Sequence, residues 1–181
     1  GSCGKTTLKE LLGDVLSKIS KVSISPKSYN NKFGVPLSLF NIQQNDEFGI
    51  LEVGMDKIGE IDYLSKIIKP DVGVITNISY AHAKNFKNIK QIALAKSEII
   101  NNIRPNGFVV LNADDSFFEF HKKIAKKKNL KVISFGMKSR KANIKLVDVS
   151  PLKKKFKINI SLNNKNKYFL ISNNFQNNIY N

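Results

Sequence analysis

The chain has 181 residues, a formal charge of +16 and 41% hydrophobic residues, enough for one folded α/β domain with its own core and too little for a second full one. No apolar run approaches the roughly 18 to 20 residues that span a membrane, and the start carries no signal-peptide pattern, so a cytoplasmic protein is expected. Cys3 is the only cysteine, which excludes a disulfide framework and a CxxC zinc site.

The first segment reads GSCGKTTLKE (1–10). It is the second half of a Walker A loop, GxxxxGK[ST], in which a glycine-rich backbone cradles phosphates at a helix N-terminus. Gly4 allows close approach to a phosphate, Lys5 can reach terminal phosphates and the Thr6 hydroxyl can ligate magnesium, with Gly1, Ser2 and Thr7 completing the loop. Leu8, Leu11, Leu12, Val15, Leu16 and Ile19 follow at helical spacing, so the motif opens a helix as its mechanism requires. The first glycine of the pattern is missing, and the expectation is that the chain starts inside a domain whose first strand lies upstream. Cys3, within the loop, reads as a tolerated small side chain rather than a nucleophile.

Short apolar runs then alternate with helical stretches. Strands are expected at 21–25, 48–54, 71–78, 107–113 and 130–136, and helices at 36–41, 58–68, 89–103 and 116–128. Beyond about Ser139 the runs ANIKLVDVS, KFKINISL and KYFLIS have strand length, polar turns between them and no helices, which reads as a small antiparallel sheet appended to the parallel one.

A parallel sheet places its ligands at the carboxyl ends of its strands. There stand Glu52, Asn77 and His82, which with Thr6 could surround a magnesium-bound triphosphate. Other readings stay open: Glu52 in a structural ion pair, His82 as a surface histidine. Lys96 lies at the edge of the stripe Ile92, Ala95, Ile99 and Ile103, and taken alone it reads as a lysine snorkelling to water. His121, in a lysine-rich helix, is expected to be solvated or packed on the helix face.

The charge invites a nucleic-acid partner, but only Arg104 and Arg140 are arginines among 30 basic residues, and phosphate and base recognition favours the arginine fork. Runs such as KKIAKKK therefore read as solvated faces, and no nucleic acid is expected.

In order and spacing, GSCGKTTLKE, YNNKFGVP (29–36), LEVGMDKIGEI (51–61), KPDVGVITNISYAH (69–82) and IALAKSEII (92–100) resemble the central domain of the Mur ligases. The pairing of NNxxGVP with ExGMxxxGEI is most similar to members that add D-alanyl-D-alanine to a UDP-N-acetylmuramoyl-tripeptide. The resemblance implies an α/β fold of P-loop NTPase type, a mostly parallel sheet flanked by helices with a small antiparallel β-sheet near the C-terminus. It implies that residues 1–181 are the ATP-binding central domain, cut at both ends, without the N-terminal UDP-binding and C-terminal ligase domains.

The activity it implies is amide-bond formation at the expense of ATP, through an acyl phosphate on the growing peptide of a peptidoglycan precursor. Lys5, His82 and Lys96 would be catalytic; Thr6, Glu52, His82 and Lys96 would serve Mg2+, Lys96 as a carbamylated lysine. Asn30 and Asn31 would face the UDP-MurNAc-peptide. The family's closing GxHNxxN appears here as FQNNIYN (175–181): Asn178 and Asn181 match at the adenine, while Phe175 and Asn177 replace glycine and histidine. The isolated fragment is expected not to ligate, and a monomer is the default. The alternatives are another Mur-type ligase, a folylpolyglutamate synthetase, a basic nucleic-acid ATPase and a non-catalytic nucleotide-binding module.

Overall fold

The computed structural model describes residues 4–80, 85–153 and 155–172. Gly4, at φ 88°, turns the chain through the left-handed region into α1 (Lys5–Leu16), a conformation that glycine adopts without a Cβ penalty. Helix α1 packs on β1 (Val22–Ile24) and β2 (Phe48–Ile50), which pair in parallel with Val22 opposite Phe48. Between these strands lies α2 (Gly34–Phe40), which begins earlier than the sequence predicts because the Asn31 carboxamide oxygen accepts from Phe33 N and Gly34 N, both at 3.0 Å. Pro36 then sits in the first turn, where its missing N–H costs nothing.

The second sheet contains β3 (Val72–Ile75), β4 (Phe108–Asn112), β5 (Lys131–Gly136), β6 (Ile144–Leu152), β7 (Lys155–Leu162) and β8 (Lys165–Ser172), in that spatial order. Strands β3 to β6 are parallel; β6, β7 and β8 form an antiparallel meander. The expected antiparallel segment is present and, as expected, is appended to the parallel sheet, which it continues through β5 and β6. Phe135 pairs with Ile144 and Gly136 with Lys145, and Asn143 reinforces the seam by accepting from Ser134 N at 2.9 Å and donating its own N–H to Ser134 Oγ at 3.0 Å. Asn163 and Asn164 take φ of 48° and 66° at the β7–β8 turn, the positive-φ pair that matches the twist of a hairpin.

Helices α3 (Glu60–Ile68), α4 (Ile89–Asn101) and α5 (Phe118–Lys127) complete the layers. Helix α4 packs against α3, α5 and β3, and α5 lies on β4 and β5. The core runs through Ile75, Ile100, Ile103, Val109, Leu111 and Phe118. Helix α4 is covered from several directions, so its buried face is wide: Ala93 and Lys96 join Ile92, Ala95 and Ile100 in the interior.

Candidate nucleotide site

Three chain segments meet at the carboxyl ends of β1 and β2. Helix α1 supplies Lys5 and Thr6, the turn after β1 supplies Ser25 and Asn30, and Glu52 stands two residues past β2. Glu52 is 5% exposed, a burial that a carboxylate tolerates only when its oxygens are satisfied. Here they are: Oε2 accepts from Thr6 Oγ1 at 2.7 Å, and Oε1 accepts from Asn30 Nδ2 at 2.9 Å with Lys5 Nζ at 3.8 Å. Its backbone N–H donates to Ser25 Oγ at 3.2 Å, and Gly54 N donates to Asn30 O at 2.7 Å. The expected Lys5, Thr6 and Glu52 are thus brought together, with Asn30 against the same carboxylate. The Asn31 side chain caps α2, and Thr7 lies half-buried in the first turn of α1.

The second half of the site follows β3. Asn77, like Glu52, stands two residues beyond its strand, and its carbonyl accepts from Lys96 Nζ at 2.7 Å. Lys96 is 9% exposed: the amine is held inside, at the carboxyl end of the sheet, and does not snorkel. Met55 joins the two halves by packing on Phe86, Ile92 and Ala95. The α4 residue Glu98 reaches the same loop, accepting from Gly59 N at 2.8 Å and Asp62 N at 2.9 Å. A groove of about 910 Å³ opens beside Lys5, lined by Asn30, Asn31, Phe33, Met55 and Tyr63 among others.

His121 packs inside, its Nε2 at 3.0 Å from Ala93 O. A carbonyl only accepts, so Nε2 carries the proton, and burial holds the imidazole below its ordinary pKa. Gly1, Ser2, Cys3, His82, Asn178 and Asn181 lie outside the described residues.

Among the described residues no cluster of three His, Cys, Asp or Glu forms a protein-only metal cage. The hydroxyl of Thr6 beside the carboxylate of Glu52 is instead the hard-oxygen pair that suits magnesium, which keeps its waters and takes further ligands from phosphates. The lysine, the hydroxyl and the sheet-edge acid are those of a P-loop nucleotide-binding protein.

The chain belongs to the Mur ligase family: the Mur ligase middle domain matches residues 1–181. It is similar to the UDP-N-acetylmuramoyl-tripeptide--D-alanyl-D-alanine ligase of Borreliella burgdorferi, with 42% identity over 142 residues, 77% of this chain and 30% of that protein. Among solved structures, MurF from Acinetobacter baumannii superposes with a TM-score of 0.85 at 31% identity, covering 95% of this chain and 37% of that one. MurF ligase from Thermotoga maritima, in complex with ADP, gives a TM-score of 0.82 at 28% identity over 94% of this chain and 38% of that one. The chain therefore spans about a third of the length of the relatives it matches and the fold expectation of a P-loop α/β domain holds. Among the described residues no helix is long and apolar enough to cross a membrane.

Proposed function

We propose that these residues are the central, ATP-binding part of a longer cytoplasmic ligase that adds D-alanyl-D-alanine to a UDP-N-acetylmuramoyl-tripeptide. The observation that carries this reading is the convergence of Lys5, Thr6 and Glu52 in a chain whose relatives bear that activity in their names. The groove beside Lys5 and Asn30 is the proposed path of the peptide toward the phosphates.

Magnesium-bound ATP supplies the phosphoryl group that activates the peptide carboxylate. The chain's own contribution is charge management, because carboxylate and triphosphate are both anionic and must meet. Lys5, at the positive end of α1, draws the terminal phosphates down. Thr6 and Glu52 would hold the cation, and Asn30 fixes the Glu52 carboxylate from the groove side. Lys96, presented by α4 and steadied by the Asn77 carbonyl, would as a carbamate hold a second cation together with His82. Asn31 lines the groove for the UDP-peptide. Gly1, Ser2, Gly4 and Thr7 complete the phosphate loop, and Asn178 and Asn181 the adenine side.

The test is phosphate release by the full reading frame with MgATP and UDP-N-acetylmuramoyl-tripeptide, comparing D-alanyl-D-alanine with single amino acids as acceptor. Release that requires the dipeptide is expected. Release with a single amino acid and its own precursor would assign a different ligase, and none with any acceptor would leave a nucleotide-binding module.

A further inference from the structure

Lys9 is 3% exposed, although its side chain ends in a polar amine. An ammonium survives such burial only if its three donors find acceptors. Nζ donates to Ser25 O at 2.6 Å and to Lys27 O at 2.5 Å, and it pairs with Glu10 Oε1 at 3.2 Å. Both carbonyls belong to the turn that leaves β1, where Lys27 holds φ at 46°, a left-handed conformation that a residue with a Cβ keeps only under restraint. Lys9 supplies that restraint from helix α1, one turn beyond Lys5.

The gripped turn is bracketed by the two residues that hold Glu52 from opposite ends. On one side Ser25 Oγ accepts the Glu52 backbone N–H at 3.2 Å, and Ser25 N donates to Ile50 O at 2.8 Å, extending the β1–β2 ladder by one residue. On the other side Asn30 Nδ2 donates to the Glu52 carboxylate at 2.9 Å. We propose that Lys9 is a positioning residue: it fastens the 25–30 turn to the phosphate-loop helix, so that the Glu52 carboxylate stays beside Thr6 where a phosphate-bound divalent cation is held. The inference rests on the nucleotide reading above. The three Lys9 donors are taken by Ser25 O, Lys27 O and Glu10, so none is left for a phosphate, and Lys9 acts through the 25–30 turn.

A lysine with a merely structural role would change stability and leave metal dependence alone. In the full reading frame, Lys9→Met keeps the stem and removes the donors, while Ser25→Ala keeps the carbonyl that Lys9 grips and removes the hydroxyl that Glu52 uses. ATP binding is titrated by calorimetry over a series of magnesium concentrations and in EDTA, with the thermal midpoint measured on the same samples. Lys9→Met is expected to raise the magnesium concentration for half-maximal ATP binding about tenfold, with metal-free binding within about twofold of wild type; Ser25→Ala shifts it in the same direction by less.

An unchanged magnesium dependence in Lys9→Met, or an equal loss with and without the metal, overturns the inference. If Lys9→Met does not fold, Ser25→Ala decides alone: a shift supports it and wild-type metal dependence overturns it. A wild-type chain without magnesium-dependent ATP binding refutes the nucleotide reading itself and takes the inference with it.

Discussion

Thr6 and Glu52, 46 positions apart in the chain, share a 2.7 Å hydrogen bond across the mouth of the parallel sheet. Thr6 is exposed while Glu52 is buried, so the pair presents oxygen outward from a fixed base. Substituting Glu52→Gln keeps the shape and removes the charge that a magnesium ion needs. We expect kcat in the full reading frame to fall on the order of 100-fold, with a thermal midpoint close to wild type, measured by phosphate release and calorimetry.

Lys96 tests the other half of the site. Its amine donates to Asn77 O at 2.7 Å from α4, a different helix from the one that carries Lys5 and Thr6. Lys96→Met should therefore lower turnover on the order of 100-fold with little change in the Kd for MgATP. Lys96→Arg should not rescue it, because a guanidinium cannot become an anionic carbamate. In wild type, labelled bicarbonate should give a carbamate carbon resonance that both variants lack.

Gly34 packs so closely on the Asn30 loop that a Cβ there would lie 2.6 Å from Tyr29 Cα and 2.8 Å from Tyr29 C. Those are backbone atoms, so Gly34→Ala must push the 29–33 segment away. The expected outcome is a loss of about 1–3 kcal/mol of stability, with KM for the UDP-peptide rising more than KM for ATP. Thermal unfolding and steady-state kinetics check both parts.

Acid sensitivity should come in two windows. Burial holds His121 below the ordinary histidine value of about 6.5, so the unfolded chain binds a proton there before the folded one does. Stability is full above about pH 6.5 and falls as pH drops toward the folded value, at up to about 1.4 kcal/mol per pH unit. His121→Phe should flatten that slope in urea titrations between pH 7 and pH 5. Lower down, Asp62, held below the carboxylate range first by Lys66 and then by Asn102, contributes stability present above about pH 4. That contribution fades as pH falls through its folded value, and Asp62→Asn should remove it.

Much of the fold was legible because it is written in local periodicity. The leucines after GKTT predict α1, and the alternation of apolar runs with helical stretches predicts the parallel order of β3, β4 and β5. The meeting of Lys5, Thr6 and Glu52 was legible because GKTT opens a helix and Glu52 follows a strand end. Taken alone, Lys96 reads as solvated because its spacing describes a helix with one buried face, whereas α4 is packed by α3, α5 and β3. Lys9 and Ser25 gave no signal: a lysine in a helix reads as solvated, and its burial depends on two carbonyls brought there by a turn after β1. That the meander is appended to the parallel sheet was legible, but the β5–β6 register that joins them is set by no local pattern.

That seam has a consequence for the order in which the molecule folds. Strands β7 and β8 pair over eight residues each around a tight turn, whereas β5 and β6 share two registered pairs. Hairpins close in about 1–10 μs, while parallel strands must wait for a long crossover to be ordered. The meander should therefore form early and behave as a separate cooperative unit, with amide exchange in β6 to β8 protected independently of β3 and β4. The nucleotide site, which needs α1, β1 and β2 together, would then be among the last parts to assemble.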